Sequence, residues 1–430
     1  MSWTTYKERI HKLSHRIVTA QKPIHILNAI KWDPAFEEKI KRSHFREIPD
    51  IGPKYYQTIA LGYDPKVKLE ELRAIAIDIE LHLGKTDPIA KLLLTTAEEY
   101  ISVVEMLQHR GTKQFWEWSK KLYGSPKDLF TDDRNTISDL GRLLYSILSR
   151  IDDHNLGPAF PQNLNADEVV RTLNERFQSF FGDEAIKAKM SDDLFADAAA
   201  GGDVVKVRQG AKFSSRDIDI LEVHEGWVHV GTTQNGAQQH VATWLAKGSP
   251  RVSATQEGLA VLMEIFTFRT YPRRARHLND RVIAIDKVED GANILELIEF
   301  FRTEGYNEDE SLNNAIRVFR GAPLQGGAPF TKDISYCRGF IENYNFVRAA
   351  IRAGHPEILP FLFVGKIRVD DIPMLYQKFK EGIIDPPKYL PWHFKDLNGV
   401  VVWMSFSSFF NMVDMAKIQN HYDKLFKQYL

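Results

Sequence analysis

The sequence predicts an α+β fold that is predominantly helical, with one small sheet. Three observations carry that expectation. Apolar residues recur at helical spacing in window after window along the chain. One run, Asp203–Phe213, alternates instead, with Val205 and Val207 set against Lys206 and Arg208, the pattern of a half-buried strand. Finally, 43% hydrophobic and 26% charged residues are ordinary for a globular chain and exclude a disordered one, a collagen-like one and a coiled-coil rod.

Taken in order, the chain before Leu69 reads as irregular, with turn signals at Pro49–Pro53 and Asp64–Pro65. Leu69–Leu83 reads as a helix stopped by Gly84. Ala90–Gln108 reads as another, with Leu92, Leu93, Ala97, Tyr100, Val103, Val104 and Leu107 on one face. Phe115–Leu122 and Ser138–Leu148 continue the helical character. Asn155–Asn165, with Gly157, Pro158 and Pro161, reads either as a boundary between regions 1–155 and 156–430 or as a loop inside one continuous unit. A helix follows near Ala166–Phe181, then the strand. Ser214 opens the next helix, with Asp217 three residues on in a capping-box arrangement, and Gly231 ends it. Ser253 and Gln256 form a second such box, opening a helix to about Thr270. The remainder is read as helices over Asn293–Thr303, Glu308–Phe319, Lys332–Ala353, Val369–Lys380 and Met412–Gln428.

Bulk charge narrows the function. Lys+Arg total 56 against Asp+Glu 57, so the chain lacks the basic surface that phosphate contacts need, and no nucleic-acid partner is expected. The single cysteine, Cys337, excludes a cysteine-built zinc cluster and an intramolecular disulfide. The start, MSWTTYKERIHKLSHR, has no apolar h-region, so no secretory signal is visible. The longest apolar stretch, Val400–Val413, is broken by Ser405, Ser407, Ser408 and Asn411 and is shorter than the ~20 residues that span a bilayer. A cytoplasmic protein with no membrane partner is the expectation.

The sharpest chemical signal is His224-Glu225-Gly226-Trp227-Val228-His229, an H-E-x-x-x-H arrangement. Two imidazoles can hold a metal, and the adjacent carboxylate can take a proton from water. The familiar zinc-peptidase motif spaces its histidines four apart, on one helical face. Here the gap is five, which in a regular α-helix separates the side chains by about 140°. Both reach one metal only if the helix widens into a π-type turn or ends between them, and Gly226 lowers the backbone cost of such a distortion. A strand followed by a capped helix bearing His-Glu is also the arrangement of thermolysin-like zinc peptidases, with a small sheet beside a zinc-binding helix. Such sites take a third protein ligand, often a Glu from a following helix. Glu257 supplies one, 28 residues after His229. Gly258 beside it is unfavourable inside a helix by about 1 kcal/mol, which makes sense if another element, such as the His224 helix, approaches closely. Glu264 is the rival ligand or a supporting partner. His240, 16 residues from His224, fits no zinc spacing.

Thr255-Gln256-Glu257-Gly258-Leu259-Ala260, together with the upstream H-E-x-x-x-H, resembles the QEGLA-motif family, labelled flavohaemoglobin expression-modulating proteins. That family is related to the microtubule-associated tyrosine carboxypeptidases, zinc enzymes that remove the C-terminal tyrosine of α-tubulin. Pro23–Pro34, Gly111–Gly124 and Phe330–Tyr336 extend the resemblance over most of the chain. The resemblance implies Zn²⁺ as cofactor, His224, His229 and Glu257 as its ligands, Glu225 as the catalytic glutamate, and a metallopeptidase region within 156–430. It also implies a peptide or protein C-terminus as substrate and exopeptidase action, which spacing does not show. The QEGLA spelling is that of a bacterial branch for which tubulin is not an established substrate.

A carboxypeptidase must hold a terminal carboxylate, and Arg does this with a two-pronged, charge-assisted hydrogen bond. Arg317, Arg320 and Lys332 are the candidates, around a glycine-rich loop through Gly326 and Gly327. Tyr336 is the candidate donor to a developing oxyanion. Tyr271–His277 is the one compact basic cluster, read as a solvated helix start or a contact to an acidic peptide tail. Two alternatives stay open at this point: a regulatory peptide-binding protein that keeps a metal site without turnover, and a zinc amidase acting on non-peptide amides.

Overall fold

The structure, a computed structural model, describes residues 3–152, 155–157, 160–182, 186–192, 194, 196–410 and 412–429. It is α+β and predominantly helical, with one three-stranded sheet. The chain opens on a helix, α1 (Trp3–Gln21), where an irregular segment is expected from sequence; short helices at Pro34–Arg42 and Pro53–Gln57 follow. Ile10, Leu13, Ile17 and Ala20 lie on the buried side of α1. Their stripe is narrow and flanked by charge, which hides it in a composition-based reading.

Next come α2 (Pro65–Leu83), α3 (Pro88–Gln108), α4 (Lys113–Tyr123), α5 (Ile137–Leu148) and α6 (Ala166–Phe181). Helices α2 and α3 start at Pro, with Asp64 and Asp87 accepting hydrogen bonds from first-turn amides. Between Asn155 and Asn165, residues 158 and 159 lie outside the described residues. One hydrophobic core takes side chains from both sides of that stretch, from Ile10 to Met404.

The sheet has the order β1-β3-β2, with β1 (Lys187–Ser191), β2 (Ala198–Ala200) and β3 (Val204–Arg208). Strand β3 is the core of the alternating run and is shorter than the expected Asp203–Phe213. It pairs with β1 in parallel, Lys189 opposite Lys206, and with β2 antiparallel, Ala199 opposite Lys206. Val205 and Val207 pack with Phe177 and Phe181 of α6 in a second, smaller core.

Helix α7 (Ser215–Leu221) begins at the Ser214–Asp217 capping box, which forms in both directions. It runs without a break into a π-helix over Glu222–Val230, and then into α8 (Gly231–Ala237). Gly231 therefore does not stop the helix, and Asn235 and Gly236 are helical. In α9 (Ser253–Phe266) the expected second capping box is absent: Val252 is the cap residue and makes no side-chain cap bond, and Ser253 lies inside the helix. Gln256 is drawn instead into a buried polar network, described below. The basic cluster opens α10 (Pro272–Glu289).

The remaining long helices are α11 (Ile294–Thr303), α12 (Glu308–Phe319), α13 (Ser335–Arg352), α14 (Ile372–Lys380), α15 (Asn398–Phe410) and α16 (Met415–Tyr429). Among the described residues no single helix is long and apolar enough to cross a membrane; α15 and the following α16 pass that test only as a pair bent by 83°.

Helices α9 and α13 cross with their backbones in contact. A Cβ on Gly258 would fall 1.9 Å from the carbonyl carbon of Gly339, and one on Gly339 would fall 1.7 Å from the Ala254 oxygen. The element that Gly258 admits is thus α13, not the His224 helix. Gly226 likewise leaves room for the Phe177 ring, which an added Cβ would meet at 2.4 Å.

Candidate active site

The π-helix answers the spacing problem of the His-Glu motif. Its i→i+5 hydrogen bonding brings residues five apart onto one side. His224 and His229 consequently stand edge to face, with ring centres 4.9 Å apart. The Nε2 atoms of both rings lie 3.5 Å from Oε2 of Glu257, which reaches in from near the start of α9. These three side chains form the group whose donor atoms, all within 4.8 Å of one another, could hold a metal ion.

Two of the three, His224 and Glu257, are held from behind. Nδ1 of His224 meets Oε1 of Glu264 at 2.7 Å, so a proton on Nδ1 leaves the Nε2 lone pair facing Glu257. Glu264 is fully buried and accepts from Arg274 Nη2 at 3.0 Å. Burial opposes ionisation of Glu264, yet Arg274 and His224 hold its carboxyl down to about 2. Glu264 is therefore a supporting partner of His224 and no part of the three-donor group. Arg274 belongs to the basic cluster, so part of that cluster is buried beneath the site. Burial also lowers the His224 pKa, but Glu257 and Glu264 outweigh it and raise the imidazolium to about 9. For Glu257, burial is overcome by the Lys332 ammonium and the two histidines, which keep its carboxyl well below the usual range.

The backbone of the π-helix has its own support. Where π gives way to α, the His229 carbonyl accepts from Lys366 Nζ at 2.9 Å and Thr233 Oγ1 at 2.8 Å. Lys366 also donates to Thr232 Oγ1 at 3.0 Å and to Gln256 Oε1 at 2.8 Å, tying α8, α9 and the 366 loop together. Burial presses the Lys366 ammonium down to about 7.

Glu225 sits beside the histidines and faces a cleft of about 710 Å³. Its Oε2 accepts the backbone N–H of Ala200, on edge strand β2, at 2.8 Å. The sheet thus orients one carboxylate oxygen and leaves the other toward the cleft.

The same cleft gathers the expected cations and distinguishes them. Arg317 Nε donates to the buried carboxylate of Asp333 at 2.7 Å. Lys332 Nζ donates to Oε1 of Glu257 at 3.1 Å, holding the oxygen opposite the histidines. Arg320 is 9% exposed, its Nε has no hydrogen-bond partner, and burial lowers its guanidinium to about 10. Like Arg281, whose Nε is also unpartnered, it keeps hydrogen-bonding capacity for a ligand, and it lines the cleft. Tyr336 stacks 6.4 Å from His224, beneath the Arg281 guanidinium at 5.0 Å. His240, by contrast, is exposed and bonds to Asp385 away from the cleft.

Arg281, Arg274 and Lys366 go unmarked as site residues in the sequence. Arg274 had a signal, because it falls in the basic cluster that opens the helix after the one carrying Glu264. Lys366 and Arg281 carry none, since only tertiary packing brings them to the site.

A mainly helical α+β chain with two histidines and a glutamate converging beside a second glutamate in a cleft has the features of a peptidase site. The chain belongs to the microtubule-associated tyrosine carboxypeptidase family, whose model matches residues 38–412. Membership implies a peptidase of the carboxypeptidase kind, and agrees with the relation inferred from the QEGLA segment. No curated protein matches the chain.

Proposed function

We propose that this protein is a zinc-dependent carboxypeptidase that removes a C-terminal residue, tyrosine by the name of its family, from a peptide or protein. The observation that carries the reading is the convergence of His224, His229 and Glu257 beside Glu225 and a buried Arg320. The donor set fits the metal. Tetrahedral zinc with ligands at about 2.0–2.1 Å needs donors roughly 3.3–3.4 Å apart, and both histidine nitrogens lie 3.5 Å from Glu257 Oε2. Two nitrogens and one oxygen also match the His₂Glu set of catalytic zinc sites, which keep one position open. His224, His229 and Glu257 would hold the ion, which when bound supplies Lewis-acid polarisation and a more acidic water.

The chain's own groups supply the rest. Glu225, with Oε2 pinned to Ala200, offers its other oxygen to take the water's proton and later return it to the leaving amine. Tyr336 donates its phenolic proton in a hydrogen bond to the carbonyl oxygen as charge develops there. Arg320 binds the terminal carboxylate, and Arg317 and Lys332, fixed by Asp333 and Glu257, add positive charge around it.

Paired peptides that differ only in a free or amidated C-terminus test this. The free acid should lose one residue and the amide should be left intact. Equal cleavage of both, or hydrolysis of small non-peptide amides alone, overturns the carboxypeptidase reading. Peptide binding without turnover in zinc-loaded protein overturns the enzymatic one.

A further inference from the structure

The two C-terminal helices expose an apolar face that the site chemistry does not use. Helix α15 buries Val400, Met404 and Ser407 against the body of the protein. At 3.6 residues per turn, Val402, Trp403, Phe406, Phe409 and Phe410 fall within an arc of about 120° on the opposite side. That outward arc bears the bulkier side chains: Trp403 is 59% exposed, Phe406 70%, Phe409 61% and Phe410 52%. Helix α16 leaves the face uncovered, bent 83° away from α15, and it exposes apolar residues of its own, Leu425 and Phe426. An isolated helix of about 15 residues is marginal in water, so tertiary or intermolecular packing must support α16.

Area and charge indicate what covers this face. Aromatic side chains offer about 150–250 Å² each, so the four on α15 alone present on the order of 450 Å², as much as the whole largest patch of a typical monomer, about 300–600 Å². With Val402, Met412, Leu425, Phe426 and Trp392 the apolar area approaches the ~800 Å² per partner of a standard protein interface. The fringe carries both signs in near balance: Lys395, Lys417, Lys424 and Lys427 against Asp396, Asp414 and Asp423. An anionic lipid surface selects a one-sided basic fringe. Mixed charge around an apolar stripe suits a self-complementary contact, where each acid can meet a base across a two-fold axis.

We propose that α15 and α16 form a self-association surface, covered by a second copy of this chain in an isologous dimer. The face is separate from the cleft, and the inference is independent of the catalytic reading. Sedimentation equilibrium of the full chain tests it, beside Phe406→Asp and the double variant Phe406→Asp/Phe410→Asp. The wild type should be dimeric at about 10 µM, and the double variant should weaken the dimer by at least ~100-fold. Because both side chains point to solvent, the variants should keep the wild-type circular dichroism and metal uptake. A wild type that stays monomeric at ~100 µM overturns the proposal. If that monomer floats with phosphatidylserine-containing vesicles, the face is a lipid surface instead. A dimer that survives the double substitution overturns it as well, since the contact then lies elsewhere.

Discussion

Glu225 and Glu257 are both glutamates within one cleft, yet they are expected to fail differently. Glu225→Gln keeps shape and one oxygen but removes the proton acceptor. Metal content should stay near that of the wild type while turnover falls by ~10² or more, the range for a positioned general base. Glu257→Ala and His224→Ala remove donor atoms, so elemental analysis should show metal lost together with activity. Glu264→Ala frees Nδ1 of His224 and should weaken metal binding by roughly 10- to 100-fold without abolishing it. Full activity in Glu225→Gln contradicts the proposed chemistry. Arg320→Ala makes a separate claim. It should lower kcat/KM for free-acid peptides by about 10- to 100-fold, the worth of hydrogen bonds to a charged group, and erase the preference over amides. A variant that still discriminates shifts the carboxylate anchor to Arg281 or Arg317.

Among the elements, the π-helix was legible as a requirement. Five-residue spacing between His224 and His229 excludes a straight α-helix through a shared site, and the structure supplies the wide turn. Its support was not legible. Lys366 meets the His229 carbonyl across more than a hundred residues, and nothing local to either one announces the contact. Ser253 and the Gln of the QEGLA segment have the spacing of a capping box, but no box forms at Gln256. Its true partners, Lys366 and Thr232, lie on other elements. The small strands were hidden for a similar reason: Ala198–Ala200 has no alternation and is a strand only through its register with β3. Lys366→Met keeps most of the stem but removes the three donated bonds. Competition titration should show metal affinity reduced by roughly 10- to 100-fold, the range for partners behind a ligand, with Lys366→Arg recovering part of it. Unchanged affinity in Lys366→Met means the wide turn holds itself open.

At the scale of the whole molecule, the helical class was readable from periodicity, and the sharing of one core by both halves was not, because long-range contacts leave no local pattern. Ser14 of α1 meets Thr243 at 2.6 Å, and Tyr100 donates to the Gly248 carbonyl at 2.9 Å. The metal-free protein should therefore report the state of its site in its global stability. His224 has a folded pKa raised from 6.5 to about 9, so folding takes up a proton there. That contribution is fully present below pH 6.5 and is lost as pH rises toward and through 9. Lys366, held down to about 7, pulls the other way above that pH, so the His224 contribution is read as a difference: in metal-free protein the stabilisation of wild type over His224→Gln should shrink from pH 6.5 to 9. A wild-type advantage that grows over that window contradicts the assignment.

The Gly258–Gly339 crossing has a kinetic consequence. It locks the strand of chain that carries Glu257 to the one that carries Tyr336, backbone against backbone, with no side chain between them to act as a cushion. The two sides of the cleft therefore breathe together or not at all. Any movement of the walls on substrate entry falls instead to the edge of the sheet around β2 and to the 27–32 segment, both of which line the cleft without such a clasp. In amide exchange, the crossing should open only with global unfolding, while the rim exchanges on its own, faster clock.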